Sequence, residues 1–450
     1  MINNDTIVAI STPHGLGGIA IVRLSGPSAT KVADAFFCAA RNKPLSKCAH
    51  AVMNFGRLNL DGVVERGYGV VFFAPHSFTG EDVVELQVHG GTIMAEKVVA
   101  ECIKHGARIA DRGEFSKRAF LNGKASLESL EGMIDMISAE SEAELRAGSM
   151  LQNGELKKVL DSIEESLTSA LAEIDVTIDY PDEIDEEITA KKVCDCAASA
   201  KAKIDKLLQT KKIGRLIKDG VKTLIIGKPN VGKSSVLNAI VGEERAIVTD
   251  VAGTTRDVVK ETFVLNGTKF VLLDTAGIRE TSDKVESIGV ERAKQNVEIA
   301  DLILFLIDGS EDISDEDKQI FDLVANKNTI LVLNKTDKKQ NAHAKEFFDA
   351  FEGKKVAIST VLGDGMDKLI ELMQLVAKTQ NIDGVVVTNQ RHVDCLAKAS
   401  EELGKVDTQM SMDILSFELK TALTELGKIT GKTASEEVVA KVFSKFCVGK

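Results

Sequence analysis

The pattern of apolar and polar positions divides the chain into regions of three kinds. Residues 1–119 carry short, strand-length apolar runs separated by Gly and Pro turns, which predicts an α+β domain. Residues 218–378 alternate such runs with helical periods, typical of a parallel α/β sheet. Residues 120–217 and 379–450 show helical periodicity only. We therefore predict one helical bundle, built from two sequence halves, with an α/β domain inserted between them.

The individual elements follow from the same periodicities. In the first region the predicted strands are Thr6–Ser11, Gly18–Leu24, Gly69–Phe73 and Val83–Val88, with helices at about 27–40 and 92–105. In the inserted region the predicted strands are Lys222–Ile226, Lys260–Leu265, Lys269–Leu273, Leu302–Asp308, Thr329–Asn334 and Lys355–Ser359. Spacings of four and three predict one buried helix face from Leu156, Leu160, Ile163, Leu167, Ala170 and Ile174.

A phosphate-binding loop stands between the first strand of the inserted region and a helical pattern. Residues 227–234 read GKPNVGKS, which fits G-x-x-x-x-G-K-[ST] in its strand–loop–helix setting. Gly227 and Gly232 let backbone N–H groups turn toward phosphate oxygens. Lys233 can reach the outer phosphates, and Ser234 can hold Mg²⁺. The helix that follows points its positive end at the anion.

Two further motifs identify the nucleotide as GTP. Asp274-Thr275-Ala276-Gly277 follows one apolar strand, and Asn334-Lys335-Thr336-Asp337 follows another. Asp274 can hold Mg²⁺ through water, and the Gly277 N–H can sense the γ-phosphate. Asp337 would accept two hydrogen bonds from guanine, and adenine offers no such pair of donors. Three motifs in order, each at a strand end, predict a GTP-binding domain of Ras-like fold.

The loop between the first two motifs reads TDVAGTTRD at 249–257. Its threonines can close over Mg²⁺ and the γ-phosphate as a switch segment, and the alternative is an ordinary exposed loop. Ile278 stands where Ras-like proteins place a water-orienting glutamine, so either hydrolysis is very slow or another group serves. Asn230 could supply an oxygen to a monovalent cation beside the phosphates, or it could be a turn residue after Pro229. Ser359 begins a Ser-Thr-Val segment where many GTPases carry a basic residue that stacks on guanine.

Composition narrows the remaining possibilities. The net charge of −12 argues against a basic nucleic-acid sleeve over the whole chain, although a local patch remains open. The acidic run at 175–187 is predicted to be a solvated turn between helices. Seven cysteines and no signal sequence predict reduced thiols in a cytoplasmic protein. Cys194 and Cys196 lack a second pair at zinc spacing. No run is long enough to span a membrane, and 4% aromatic residues argue against a stacking platform for single-stranded RNA.

Several stretches resemble the MnmE (TrmE) family of tRNA-modification GTPases over essentially the whole chain. They are TIVAISTPHGLGGIAIVRLSG at 6–26, FTGEDVVELQVHGG at 78–91, ADRGEFSKRAFLNGK at 110–124, TNQRH at 388–392 and FCVGK at 446–450. The resemblance implies a homodimer through residues 1–119. It also implies a flavin-dependent partner (MnmG or GidA) in a heterotetramer, and modification of tRNA wobble uridine at carbon 5. A tetrahydrofolate derivative (5-formyl or methylene) would supply the one-carbon unit, and K⁺ would activate GTP hydrolysis.

The resemblance also assigns roles to residues. Ser234 and Thr255 would ligate Mg²⁺, and K⁺ would be ligated by Asn230, Thr249, Val251 and Thr254. Glu286 would orient water in place of the missing glutamine, and Cys447 would be the essential cysteine. The folate pocket would be lined by Arg23, Glu81, Lys124 and Lys450. From the motifs and the resemblance together, the residues predicted to line the nucleotide and its ions are Asn230, Val231, Gly232, Lys233, Ser234, Ser235, Thr249, Asp250, Val251, Ala252, Gly253, Thr254, Thr255, Asp274, Thr275, Ala276, Gly277, Asn334, Lys335, Asp337 and Ser359.

Simpler interpretations stand beside these. Glu286 could be an exposed acid at a helix start, Lys124 a turn lysine, and Cys447 a small packed side chain. Lys445 and Lys450 near Cys447 favour a reactive thiol instead. At the level of the whole protein, the alternative functions are an RNA-binding or ribosome-assembly GTPase switch and a scaffold whose GTP only controls dimer shape. Neither a K-homology pattern nor a basic tail supports the first of these.

Overall fold

The computed structural model describes residues 5–242, 246–248, 262–273, 294–377 and 384–449. The chain forms two compact units. The first unit comprises residues 1–134, 151–164 and 420–450, and the second comprises residues 135–150 and 165–419. Each unit contains one mixed β-sheet. Apolar side chains of the sheets and helices are buried. No helix in these described ranges is both long enough and apolar enough to cross a membrane.

A sheet with strand order β3-β4-β5-β6-β2-β1-β7 forms the centre of the first unit. Its strands are β1 Ile7–Ile10, β2 Ile19–Ser25, β3 Phe37–Ala39, β4 Asn54–Leu60, β5 Val63–Phe72, β6 Val83–His89 and β7 Arg108–Ile109. Helices α1 Ala29–Asp34 and α2 Thr92–Lys104 cover one face, where Val8 and Val22 are buried. Side chains alternate along a strand. Ile7 and Ala9 therefore point to the other face, where they pack with Phe115 of α3 Glu114–Leu121.

The helix predicted at about 27–40 is wrong in its second half. The helix α1 ends at Asp34, and Phe37–Ala39 is a strand paired with β4. Phe37 and Ala39 are buried while Cys38 between them is only half-buried, so pairing with the sheet overrides local helix propensity. Strand β4 was missed because Arg57 and Asn59 occupy its exposed positions and weaken its apolar signal.

Helices occupy the regions predicted to be helical. Before the inserted domain they are α4 Leu127–Ile137, α5 Glu142–Gln152, α6 Glu155–Asp179, α7 Glu186–Gln209 and α8 Lys211–Asp219. Near the end of the chain they are α13 Gln390–Lys405, α14 Met412–Thr430 and α15 Glu436–Phe443. Every residue of the predicted apolar stripe on α6 is buried. The acidic run spans the α6–α7 turn, and the Asp185 carboxylate caps α7 by accepting from two backbone N–H groups. Cys194 and Cys196 lie on α7, as predicted.

The second sheet has the order β14-β13-β12-β8-β11-β10-β9. Its strands are β8 Val221–Ile226, β9 Ala246–Val248, β10 Thr262–Leu265, β11 Thr268–Leu272, β12 Leu302–Asp308, β13 Thr329–Asn334 and β14 Lys354–Ala357. The helices among them are α9 Lys233–Val241, α10 Asp315–Val324, α11 Ala342–Ala350 and α12 Met366–Ala377. The sheet is not wholly parallel, because β10 runs antiparallel to β11 and β9 antiparallel to β10. A two-residue turn, Asn266-Gly267, joins β10 to β11, and both its φ angles are positive, as tight hairpins require.

Candidate functional sites

The phosphate loop lies between β8 and α9 and is hydrogen-bonded to Asn334 of the predicted guanine-binding motif. Gly232 adopts φ +101°, a conformation that favours glycine. A Cβ at this position would also overlap the amide nitrogen of Asn334. That nitrogen donates to the Val231 carbonyl at 2.9 Å. The two motifs are 103 residues apart in sequence, and the parallel strands β8, β12 and β13 bring their ends together.

Lys233 is folded back over its own loop. Its ammonium donates to the carbonyls of Gly227 and Lys228, each at 2.9 Å. Burial lowers the pKa of Lys233, and Glu316 only partly opposes this. A buried ammonium that has only neutral acceptors would gain from an anion nearby. The loop is therefore suited to phosphate oxygens, which can replace these carbonyls as partners of the ammonium.

Asn230 forms part of the turn in this loop through its backbone. Its φ of +61° lies in the left-handed region, which asparagine tolerates better than most residues. Its carbonyl accepts from Lys335 Nζ at 2.8 Å, and Lys335 also pairs with Asp308 at 2.6 Å. The turn interpretation of Asn230 thus has a geometric basis. Its side chain is exposed, so the amide oxygen points to no competing core contact.

The guanine motif is completed by Ser359. The Ser359 hydroxyl donates to Asp337 Oδ1 at 2.7 Å, which orients the carboxylate predicted to bind guanine. The Ser359 N–H donates to the Asp364 carbonyl at 3.0 Å. Any backbone contact to guanine from this segment must therefore come from the residues after it. Val361 is 80% exposed and apolar, so no basic side chain stacks at that position.

The remaining nucleotide residues divide into two groups. Val231 is buried, whereas Ser234 and Ser235 are exposed in the first turn of α9. The other predicted positions lie outside the described residues: Thr249, Asp250, Val251, Ala252, Gly253, Thr254, Thr255, Asp274, Thr275, Ala276, Gly277, Ile278, Glu286 and Lys450.

A second polar site lies on the α3-covered face of the first sheet. Arg23 on β2 pairs with Glu85 on the neighbouring strand, with Nε–Oε1 at 2.9 Å. Its guanidinium lies 5.9 Å from the centre of the Phe115 ring. Glu81 accepts from the Ser25 hydroxyl at 2.7 Å and from Arg118 at 3.1–3.2 Å. The structure therefore brings two of the predicted folate residues, Arg23 and Glu81, onto one face of one sheet.

Lys124 lies beside Gly80, the residue before Glu81. A Cβ placed on Gly80 would be 3.1 Å from Lys124 Cγ, so the lysine stem passes over the residue that precedes Glu81. The Lys124 side chain is exposed, and its charged end is available to a ligand. Its backbone N–H closes the α3 end by donating to Ala119 O at 2.8 Å. A turn role and a ligand role are therefore compatible at this position.

Sequence reasoning missed Arg118, which organises this site. Its side chain is 5% exposed and forms ion pairs with Asp5, Glu81 and Glu114 at 2.6–3.1 Å. Burial acts to raise the pKa of Glu114, but hydrogen bonds from Arg108, the Asp111 backbone and Arg118 outweigh it and lower that pKa. The sequence feature that could have indicated this role is an arginine on the apolar face of the α3 helix, between Phe115 and Ala119.

The C-terminal tail reaches the same site. Gly449 adopts φ +96°, and a Cβ there would overlap the Ile10 carbonyl of β1. The Gly449 carbonyl accepts from the Ser11 hydroxyl at 3.2 Å and lies 3.5 Å from Arg23 Nη1. The exposed Cys447 is tethered through its carbonyl, which accepts from Gly113 N–H at 3.4 Å. The tail therefore lies beside Arg23 and leaves the Cys447 thiol accessible.

Metal ligation by the cysteines finds no support in the described ranges. No group of three or more His, Cys, Asp or Glu side chains there is arranged to hold a metal ion. Cys194 and Cys196 sit half-buried on α7, and burial raises the pKa of both thiols. A raised pKa means that both thiols are protonated at neutral pH more fully than a free cysteine.

Comparison with known proteins now identifies the family. The model of the MnmE helical domain matches residues 127–447, and that of the GTP-binding protein TrmE N-terminus matches residues 6–124. The tRNA modification GTPase MnmE of Lactobacillus delbrueckii subsp. bulgaricus is 40% identical over 99% of this chain and 98% of its own length. The chain belongs to the MnmE family. The MnmE protein of Clostridioides difficile is 38% identical over the full length of both proteins.

Solved structures also match part of this chain. Era in complex with MgGDPNP and nucleotides 1506–1542 of 16S ribosomal RNA is 30% identical over 40% of this chain and 66% of that chain, with a TM-score of 0.27. The G domain of the T. maritima FeoB iron transporter is 24% identical over 35% of this chain and 98% of that chain, with a TM-score of 0.26. TM-scores this low support nothing further. Family membership confirms the predicted fold class and the prediction of a GTP hydrolase that works in tRNA modification.

Proposed function

We propose that this protein is a K⁺-activated GTPase that modifies carbon 5 of the wobble uridine in certain tRNAs. It would act in the cytoplasm as a homodimer, with a flavin-dependent partner of the MnmG (GidA) type. A tetrahydrofolate derivative would supply the one-carbon unit. The observation that carries the proposal is the contact of the C-terminal tail with Arg23. It joins residues 426 positions apart at the polar site around Arg23 and Glu81.

The nucleotide half of the proposal rests on the loop geometry. Lys233 is placed to exchange two carbonyl acceptors for phosphate oxygens. Asp337 is held by Ser359 where it can accept from guanine. Mg²⁺ prefers oxygen ligands, and the exposed Ser234 hydroxyl group in the first turn of α9 fits that preference. Mg²⁺ would neutralise phosphate charge when bound, and Ser234 and Thr255 would hold it.

The folate half rests on the donors and acceptors around Glu81. A carboxylate offers about four acceptor positions, and Arg118 with Ser25 does not fill all of them. Glu81 can therefore accept from the amino and ring N–H groups of a pterin. Lys124 and Arg23 add positive charge for the glutamate carboxylates of a folate. The Cys447 thiol lies on the tail that reaches this site, and it would contribute to the modification chemistry.

The cation claim is tested by comparing GTP hydrolysis in K⁺ and Na⁺. We expect faster turnover in K⁺, and we expect Asn230→Ala to remove the difference. Because Asn230 has a positive φ, alanine disturbs the turn as well as the ligand. Asn230→Gly tolerates the backbone conformation and removes only the side chain. Undiminished K⁺ stimulation in Asn230→Gly would assign this residue to the turn alone.

The modification claim is tested in cells that lack this protein. Mass spectrometry of their tRNA should show wobble uridines without the carbon-5 group, and the wild-type gene should restore it. Normal wobble uridines together with a defect in ribosomal subunits would support the ribosome-assembly alternative instead. A protein that restores modification without hydrolysing GTP would support the scaffold alternative.

A further inference from the structure

The hairpin of β4 and β5 exposes one face of the first sheet beyond the part that α3 covers. Residues at alternate positions of both strands point to this face. On β4 they are Phe55, Arg57 and Asn59, and on β5 they are Val64, Arg66 and Tyr68. All six are exposed, while the residues between them in β4 and β5, from Gly56 and Leu58 to Glu65 and Gly67, are buried. We call these six residues the hairpin face.

Two aromatic rings on the hairpin face stand directly opposite each other. Phe55 pairs with Tyr68 in the strand register, and their ring centroids are 5.4 Å apart. The side chains are 49% and 42% exposed. Exposed aromatic surface of this kind is costly to leave in water and supplies a platform on which a flat ring can stack. The low aromatic content of the whole chain argued against a stacking platform and gave no indication of this local pair.

Two arginines occupy the next exposed pair. Arg57 stands directly opposite Arg66, an arrangement that destabilises a strand pair through like-charge repulsion. Within the described ranges neither guanidinium has a hydrogen bond or an ion pair, and the hairpin face carries no acidic residue. A phosphate group between them would remove the repulsion, because a guanidinium binds phosphate oxygens with paired N–H donors.

We propose that the hairpin face binds RNA, with phosphate on Arg57 and Arg66 and an unpaired base on the Phe55–Tyr68 rings. The proposal rests on the function proposed above, which makes tRNA the RNA concerned. A second copy of this chain is a poorer occupant. A two-fold interface places the same patch on both sides, so it would bring arginines toward arginines with no acid on this face to pair them.

The position of the face also suits this role. On β5, Tyr68 is paired with Gln87 of β6, and Val70 with Glu85, the carboxylate that holds Arg23. Tyr68 is thus two residues along β5 from Val70, the residue whose register partner Glu85 pairs with Arg23. RNA bound here would present a base beside the polar site that we assign to one-carbon chemistry.

The test measures binding of an unmodified tRNA transcript to the full-length protein at several KCl concentrations. Arg57→Gln/Arg66→Gln should weaken binding about tenfold at low salt and reduce the slope of log K against log[salt] by about 1 to 2. Phe55→Ser/Tyr68→Ser should weaken binding with little change in that slope, because stacking releases no counterions. Lys31→Gln/Lys47→Gln removes two exposed charges from α1 and the 310 turn Leu45–Lys47 and should match wild type.

Each alternative outcome is decisive. Wild-type affinity and slope in the arginine variant would overturn the RNA assignment, provided that wild-type protein binds tRNA. Failure of the wild-type protein to bind tRNA would overturn the proposed function together with this inference. A change from dimer to monomer in light scattering of the arginine variant would assign the face to a second copy. Thermal unfolding and circular dichroism like those of wild type would show that the variants are folded.

Discussion

The phosphate loop takes its groups from eight consecutive residues, 227–234, whereas the Glu81 site collects groups from residue 5 to the backbone of the C-terminal tail. The loop works mainly through backbone conformation. Of its two lysines, Lys233 rests on neutral carbonyls, whereas Lys228 pairs with Glu311 and Asp317 outside the loop. The Glu81 site works through side chains. Arg118 alone joins three carboxylates there.

This difference determines what a substitution does. A side chain removed from the loop takes away a contact to nucleotide while the fold keeps its core. A side chain removed from the Arg118 cluster deprives partly buried carboxylates of a charged partner, which affects folding before it affects chemistry. Substitutions in the phosphate loop should therefore lower nucleotide binding, whereas substitutions in the Arg118 cluster should lower stability.

The largest expected effect is on the Arg118 cluster. Arg118→Met should lower the free energy of unfolding by about 3 kcal/mol, because Glu81 and Glu114 lose a buried partner. The lowered pKa values of Glu114 and Asp5 add a pH signature. Their stabilisation is present above the unfolded pKa values, near 4 to 4.5, and is lost as pH falls through the lowered folded values. The stability difference between wild type and variant should thus narrow below about pH 4.5. Denaturant titrations from pH 7 to 3 measure it, with Lys31→Met as the control.

The two regions also differ in how far sequence could predict them. Strands Leu302–Asp308 and Thr329–Asn334 were predicted with their observed bounds, because continuous apolar runs mark strands buried on both faces. The Asp5–Arg118 pair joins residues 113 positions apart, and no spacing rule predicts that meeting. The β3 strand was missed because its pairing with β4 is a tertiary contact. Backbone motifs are local and readable, whereas side-chain sites depend on the fold.

A smaller effect is expected at Asp337, whose carboxylate we propose to bind guanine. Asp337→Asn should weaken GTP binding about 100-fold and shift preference toward XTP, because xanthine has a carbonyl where guanine has its amino group. Thermal stability should stay near wild type, in contrast to Arg118→Met. Nucleotide titration with both GTP and XTP measures the shift, and the exposed Asp349→Asn serves as the control. Unchanged GTP affinity would remove Asp337 from the guanine site.

The smallest effect is expected at the residue that orients this carboxylate. Ser359→Ala removes one hydrogen bond to Asp337, and a bond to a charged group contributes about 1.5 kcal/mol. GTP affinity should fall about tenfold, and specificity against XTP should remain. Thr360→Ala is the matched control. A loss as large as that of Asp337→Asn would mean that Ser359 contacts the nucleotide itself.

The separation of the two sites is tested most directly at Cys447. Its thiol is exposed on the tail that contacts Arg23. Phosphate release and wobble-uridine mass spectrometry should be measured on the same Cys447→Ser protein, with Cys194→Ser as the control. We predict that modification is abolished while GTP turnover stays within a factor of about two, because no contact to the phosphates is lost. Normal modification by Cys447→Ser would contradict the account.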